Sequence, residues 1–204
     1  MGKKLLVILD NGHGSNTPGK CSPDKSLMEW TWTREITQLI NKKLTEQGIE
    51  SVILVPETKD VALSTRVNRA NKIYDANGKN KKDKMVVLIS VHINAAGNDA
   101  KWHNATGWSG WISPTASTNS KLLAQHLYAA CEERKLQGNR YVPKEKYWTA
   151  AYYIVKNTKM PAVLTENLFM DSKTDAAYLL STEGKEAIAD LHVDGLKKFI
   201  ANIK

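Results

Sequence analysis

The chain reads as a single α/β domain: three layers, with a twisted, mostly parallel central sheet and helices on both faces. Three observations predict this. Short apolar runs at residues 5–10, 51–55, 85–93 and 162–167 alternate with longer amphipathic stretches, the pattern of strands joined by crossover helices. A length of 204 residues suffices for one sizeable core and is short for two. The 42% apolar and 25% charged residues are those of a globular protein, and no apolar run approaches the ~20 residues of a bilayer span, so no membrane insertion is expected.

Each element has its own signal. Residues 5–10 follow two lysines and imitate the start of an export signal. The run is only five apolar residues long, Asp10 ends it, and no small-residue cleavage site follows. It is therefore predicted as a first buried strand, in a protein made in the cytoplasm without an export signal. From 26 to 48, Leu27, Trp30, Ile36, Leu39, Ile40 and Leu44 recur at helical spacing, and Gly48 stops the helix. Residues 51–55 form the second strand, closed by Pro56. In the helix predicted over 63–74, Val67, Ala70, Ile73 and Tyr74 share one face. The polar stretch 75–84 is a loop, and 85–93 is the central strand. A shorter strand at 107–112 precedes a helix at 119–136 and an aromatic-bearing surface loop at 137–149. A late strand at 162–167 and a terminal helix at 182–203 complete the chain.

Cys21 and Cys131 match no metal or redox spacing and are expected to be free thiols, as suits a reducing compartment. The formal charge of +8 serves solubility or attraction to a polyanion. Nucleic acid is the disfavoured partner, because no basic helix, stacking motif or arginine cluster accompanies the charge.

The chemistry gathers at strand ends. The first strand runs into Asp10-Asn11-Gly12-His13-Gly14, where two glycines flank a histidine in a tight turn. In open α/β sheets the carboxyl ends of the strands are where ligands bind. The central strand ends in Ser90-Val91-His92-Ile93-Asn94, and a histidine in a doubly buried strand is costly unless paired or ligating. The late strand brings Thr165-Glu166-Asn167 to the same edge. Each residue alone is a weak signal, since a lone strand histidine is more often a hydrogen-bonded core residue; their convergence is the stronger one. His126 and His192 lie in amphipathic helices and His103 in a polar loop, where packing roles are expected. Catalytic zinc sites offer three nitrogen or oxygen ligands and an open position. Two histidines are in hand. Glu29, opening the first helix, is a candidate third ligand, with Glu35 as its rival farther along. Asp10 suits a supporting role, orienting a histidine. The absence of H-E-x-x-H excludes the helix-borne zinc peptidases.

The order Asp-x-Gly-His-Gly, a glutamate opening the first helix, Ser-x-His-x-Asn-Ala, and Glu-Asn closing a late strand resembles the zinc N-acetylmuramoyl-L-alanine amidases of the type-3 class. Leu63-Ser64-x-Arg66-x-x-x-Ala70-Asn71 is also similar to that family's pattern between its histidines. The resemblance covers nearly the whole chain. It implies one catalytic domain over 1–204 without a separate wall-binding domain, acting on peptidoglycan of the bacterial cell wall as a monomer. It implies Zn2+ on His13, Glu29 and His92, with Glu166 as the catalytic acid/base. Arg66, which falls in that pattern, is a candidate substrate-binding or supporting residue, and Asn94 or Asn167 are candidate oxyanion donors. Phage-type release and bacterial wall remodelling are both compatible settings. The chain has Asn11 where the family usually has proline. The 17–23 loop and Trp102, Trp108, Trp111 and Trp148 are less familiar; these aromatics either line a substrate groove or pack in the core. The competing readings are a zinc peptidase acting on other peptides and an inactive wall-binding module.

Overall fold

The computed structural model describes residues 4–79 and 83–203. Strands β1 (Lys4–Asn11), β2 (Glu50–Ile53), β3 (Lys84–Asn94), β4 (Ser109–Ile112), β5 (Trp148–Thr149) and β6 (Ala162–Phe169) form one sheet in the order β2-β1-β3-β6-β4-β5. The four apolar strands read from the sequence are parallel, whereas β4 runs antiparallel to β6 and pairs parallel with β5.

Alternation along the strands divides the core in two. Val7, Leu9, Val87, Ile89, Val91 and Val163 face helices α1 (Glu29–Glu46), α3 (Thr118–Glu133), α5 (Lys173–Leu180) and α6 (Thr182–Asn202). Leu6, Ile8, Val86, Leu88, Ala162 and Leu164 face the thinner layer of α2 (Leu63–Asn77) and α4 (Tyr153–Asn157). The three predicted layers are present. From β1 the chain passes through α1 to β2 on one side, then through α2 to β3 on the other. The strand order therefore reverses between β1 and β3, where such sheets open a crevice.

Several boundaries differ from expectation. The first helix begins at Glu29 rather than 26, because Ser22, Asp24 and Ser26 bond one another in a turn that leaves the backbone non-helical. The second runs on to Asn77, into the expected 75–84 loop, of which residues 80–82 lie outside the described residues. The third ends at Glu133 and starts where the Ser117 hydroxyl accepts from Ser120 N. The 137–149 loop contributes β5. Helices α4 and α5, of five and eight residues, were not expected. Both cysteines are free, and burial pushes the Cys131 thiol up to about 12.

Candidate active site

The turn after β1 is shaped by what crosses it. A Cβ at Gly12 would lie 2.5 Å from Nδ1 and 2.8 Å from Nε2 of His92, so only glycine lets β1 pass the β3 histidine. At His13 the backbone turns through φ 59°, a left-handed conformation that costs a side-chain-bearing residue on the order of 1 kcal/mol unless its surroundings enforce it. Two arginines enforce it: Arg34 Nη2 and Arg66 Nη2 each donate to the His13 carbonyl at 3.1 Å. Arg66 is buried and also donates to Asp10 Oδ1 and Asn11 O, both at 2.7 Å, and to Val61 O and Asp60 Oδ1, both at 2.8 Å. The second Asp10 oxygen accepts from Ser90 Oγ at 2.6 Å. Asp10 is thus occupied by Arg66 and Ser90; it does not hydrogen-bond a histidine ring as expected, and it supports His13 through Arg66.

Glu29 is the first residue of α1, where the helix dipole favours a carboxylate, and it is 1% exposed. Its Oε1 accepts from Ile93 N at 2.9 Å and stands 3.2 Å from His92 Nδ1. Its Oε2 stands 3.3 Å from His13 Nε2, yet is buried with no hydrogen-bond partner. One ligating atom from each of His13, Glu29 and His92 lies within 4.8 Å of the others, so the three can hold a metal ion. Burial pushes His13 down to about 4. Burial is also the largest influence on His92 and lowers it, but its hydrogen bond to Glu29 and the charges of Glu29, Glu166 and Asp10 together outweigh burial and raise it. Glu29 is held below its ordinary range because His92, His13 and the Ile93 amide together outweigh its burial. Glu35, the rival, lies on the exposed side of α1 and pairs with Lys185 at 2.8 Å.

Glu166 stands beside His92 in the sheet, on the same face. Its Oε2 is buried without a hydrogen-bond partner. Burial, reinforced by the nearby charge of Glu29, pushes its carboxyl up to about 7 against the opposing pull of His92, Lys20 and Arg140. A cleft of about 490 Å³ opens here, its lining including His13, His92, Glu166, Leu63, Tyr152 and Tyr153. A group protonating near neutrality, a metal-competent trio and a cleft suit general acid/base hydrolysis.

Asn167 points to the opposite face. It is fully buried: its Oδ1 accepts from Trp108 Nε1 at 2.9 Å, and its Nδ2 donates to the His92 carbonyl at 2.8 Å. This arrangement fits a support of β3 and leaves nothing to offer an oxyanion. Asn94 Oδ1 accepts from the amide of Ala95 within its own turn. The tryptophans divide. Trp108 is entirely buried in the core, whereas half-buried Trp111 and Trp148 form a tilted pair with centroids 6.1 Å apart, joined by Tyr152 at 5.7 Å from Trp111. Trp102 lies half-buried away from them, near the Lys173 ammonium. Sequence reading missed Lys20, Ser90, Arg140 and Tyr152. Of these Lys20 falls in the 17–23 loop, Arg140 in the 137–149 loop and Ser90 in the quoted strand motif.

A family profile described as N-acetylmuramoyl-L-alanine amidase matches residues 7–198. The chain belongs to this amidase family. Its relatives include the sporulation-specific N-acetylmuramoyl-L-alanine amidase of Bacillus subtilis (strain 168), 26% identical over 95% of this chain and 68% of that protein. N-acetylmuramoyl-L-alanine amidase LytC of the same strain is 28% identical, over 93% of this chain and 34% of that protein. The endolysin of Bacillus phage SPP1 is 29% identical, over 98% and 67%. The chain thus spans about two thirds of two of these relatives and about a third of LytC. Among solved structures, the N-acetylmuramoyl-L-alanine amidase of Clostridium difficile 630 shares the fold with a TM-score of 0.81 at 23% identity, covering 99% of this chain and 100% of that one. Ami1 of Mycobacterium smegmatis gives 0.81 at 16% identity, covering 98% and 99%. The amidase family therefore accounts for the whole sheet and the helices around it. No helix among the described residues is long and apolar enough to cross a membrane.

Proposed function

We propose that this amidase-family chain is a zinc-dependent N-acetylmuramoyl-L-alanine amidase. It hydrolyses the amide between the lactyl group of N-acetylmuramic acid and the L-alanine of the peptidoglycan stem. The observation that carries this reading is the meeting of a His13–Glu29–His92 trio with a half-buried Glu166, whose Oε2 is buried and unpartnered, in one cleft. The trio fits zinc by its donor chemistry, two imidazole nitrogens and a carboxylate oxygen, and by the orphaned Oε2 of Glu29, a buried acceptor in want of a cation. When bound, zinc supplies a Lewis acid for the amide carbonyl and makes water more acidic.

The remaining work falls to the chain. Glu166 takes the proton of the attacking water and returns it to the leaving alanine nitrogen, a two-way task for which a carboxyl shifted towards neutrality is suited. Arg34 and Arg66 hold the His13 turn, Ile93 N orients Glu29, and Asn167 braces the His92 carbonyl, so the trio keeps its geometry. Leu63, Tyr152 and Tyr153 give the cleft an apolar wall. The chain acts on the cell wall as one catalytic domain, and its positive charge aids approach to an anionic polymer in a salt-sensitive way.

Digestion of purified peptidoglycan tests the reading by mass spectrometry of the released fragments. Intact stem peptides with a free L-alanine amino terminus are expected, lost with chelator and restored by zinc. New reducing sugar ends would mean glycan cleavage and cuts within the stem would mean peptidase action; either overturns the amidase assignment. Activity indifferent to chelator overturns the zinc assignment, and binding without turnover marks an inactive module.

A further inference from the structure

Arg140 holds an unusual position among the five arginines. Arg66, Arg69 and Arg134 pair with carboxylates, and Arg34 donates to three carbonyls. Among the described residues Arg140 makes no ion pair and bonds no carbonyl; the charge of Glu166 reaches it only at longer range. Its single hydrogen bond runs from Nη1 to Ser109 Oγ at 2.6 Å. Its Nε is buried without a partner. The guanidinium is stacked among aromatic rings, 4.6 Å from the centroid of Trp148 and 5.8 Å from those of Trp111 and Phe169. Trp111 Nε1 donates to the same Ser109 hydroxyl at 2.9 Å, so ring and guanidinium are fixed by one atom. Removing water from a cation without supplying an anion is unfavourable, and a protein that builds such a site leaves a strong demand for a carboxylate or phosphate.

The location says which anion. Ser109 is the residue paired with Glu166 across β4 and β6. The hydroxyl that anchors Arg140 is therefore on the neighbouring strand and the same face as Glu166, one strand spacing (~4.8 Å) away along the backbone pairing. Two extended stem residues span about 7 Å. The leaving group is the amino end of the stem, so its second residue reaches this distance from Glu166. In peptidoglycan that residue bears an α-carboxylate, present either free or as a carboxamide. Lys20, the cation on the other rim of Glu166, is a flexible exposed side chain without the preset planar fork.

We propose that Arg140, resting on Trp148 and Trp111, binds the free α-carboxylate of the second stem residue and makes the enzyme discriminate against amidated stems. The proposal rests on the amidase reading above. Its test is kinetic, with two soluble muramoyl tetrapeptides identical except for carboxylate or carboxamide at the second residue. The wild-type protein is expected to favour the carboxylate by about ten- to a hundredfold in kcat/KM, the range of a charge-assisted, partly desolvated pair. In Arg140→Gln that preference collapses towards one, with the loss in KM rather than kcat, and Arg140→Lys restores part of it. Equal wild-type turnover of the two substrates overturns the Arg140 assignment while leaving the amidase reading intact. Arg140→Gln losing the same factor on both substrates marks a merely structural role and also overturns it. No wild-type turnover of either substrate, with active peptidoglycan digestion absent too, overturns the amidase reading and this proposal with it.

Discussion

Replacing Arg66 by methionine keeps the length of the side chain and removes its charge and all its donors. Asp10 is 1% exposed and would keep only the Ser90 hydroxyl, while the carbonyls of Asn11 and His13 lose a donor. Asp60 is 37% exposed in its side chain, so its half of the network is screened by water and counts for little. The dominant loss is the unpaired Asp10 carboxylate, and removing one partner of a buried ion pair costs about 3–5 kcal/mol. For a chain of this size each kcal/mol lowers Tm by about 2–4 °C, so a drop of about 6–20 °C is expected by differential scanning calorimetry or urea unfolding. The cause is separable by a cycle. Asp10→Asn combined with Arg66→Met removes the orphaned charge, and the double variant should be more stable than Arg66→Met alone. A drop in Tm below about 3 °C for Arg66→Met would refute the weight placed on this pair, as would a double variant that is less stable still.

Three further outcomes follow from the site and the core. Glu166→Gln should lower kcat by at least about a hundredfold with zinc content and Tm preserved; near-normal turnover, or loss of metal, would remove Glu166 from the acid/base role. Gly12→Ala forces a methyl group against the His92 ring and should weaken zinc binding by about ten- to a hundredfold, measured by competition with a chromogenic chelator, with the circular dichroism spectrum intact; unchanged affinity would show that the turn after β1 moves freely away from β3. His192 is fully buried and accepts from Thr165 Oγ1 at 3.0 Å while its Nδ1–H donates to Ile188 O, and burial lowers it from 6.5 to about 4. Because the unfolded chain protonates first, this group's stabilisation is complete above about pH 6.5 and is lost as pH falls towards 4. The loss is roughly 2 kcal/mol at pH 5. Urea midpoints at pH 7.5 and 5 should differ less in His192→Gln than in the wild type, and equal pH slopes would count against the assignment.

The parts of this molecule that were legible in the sequence are those with a local or periodic signature. The four parallel strands announce themselves as apolar runs, and His13 and His92 stand out because each closes such a run. Their convergence follows from the βαβ topology, which fixes where parallel strands end. Glu29 is favoured over Glu35 by its place at the start of the helix, with Glu35 two turns farther along, and the helix's entry then buries the Glu29 carboxylate while Glu35 pairs with Lys185. The five-residue α4 and eight-residue α5 are too short to show a helical stripe, and the two-residue β5 too short to alternate. Arg140 and Tyr152 meet Trp111 across long stretches of sequence in aromatic contacts that leave no mark on residue order. Trp108 and Trp111 show the limit plainly: three residues apart, one is core and the other lies beside the cleft because β4 sends them to opposite sides of the sheet.

That division of the sheet's two sides also bears on how the gene can change. Asp10, Ser90, His92 and Glu166 share the α2 side, while their immediate neighbours Val91 and Thr165 face the α1 and α6 side. Inserting one residue early in β3 or β6 would exchange these sides. His92 or Glu166 would then be turned into a region now filled by Val91, Thr165 and His192, and the charge would be buried without its partners. Two inserted residues would restore the facing but slide the side chain about 6.6 Å along the strand. A scan of single insertions along β3 and β6 should accordingly find almost no tolerated position ahead of the site, whereas the connecting loops should accept them.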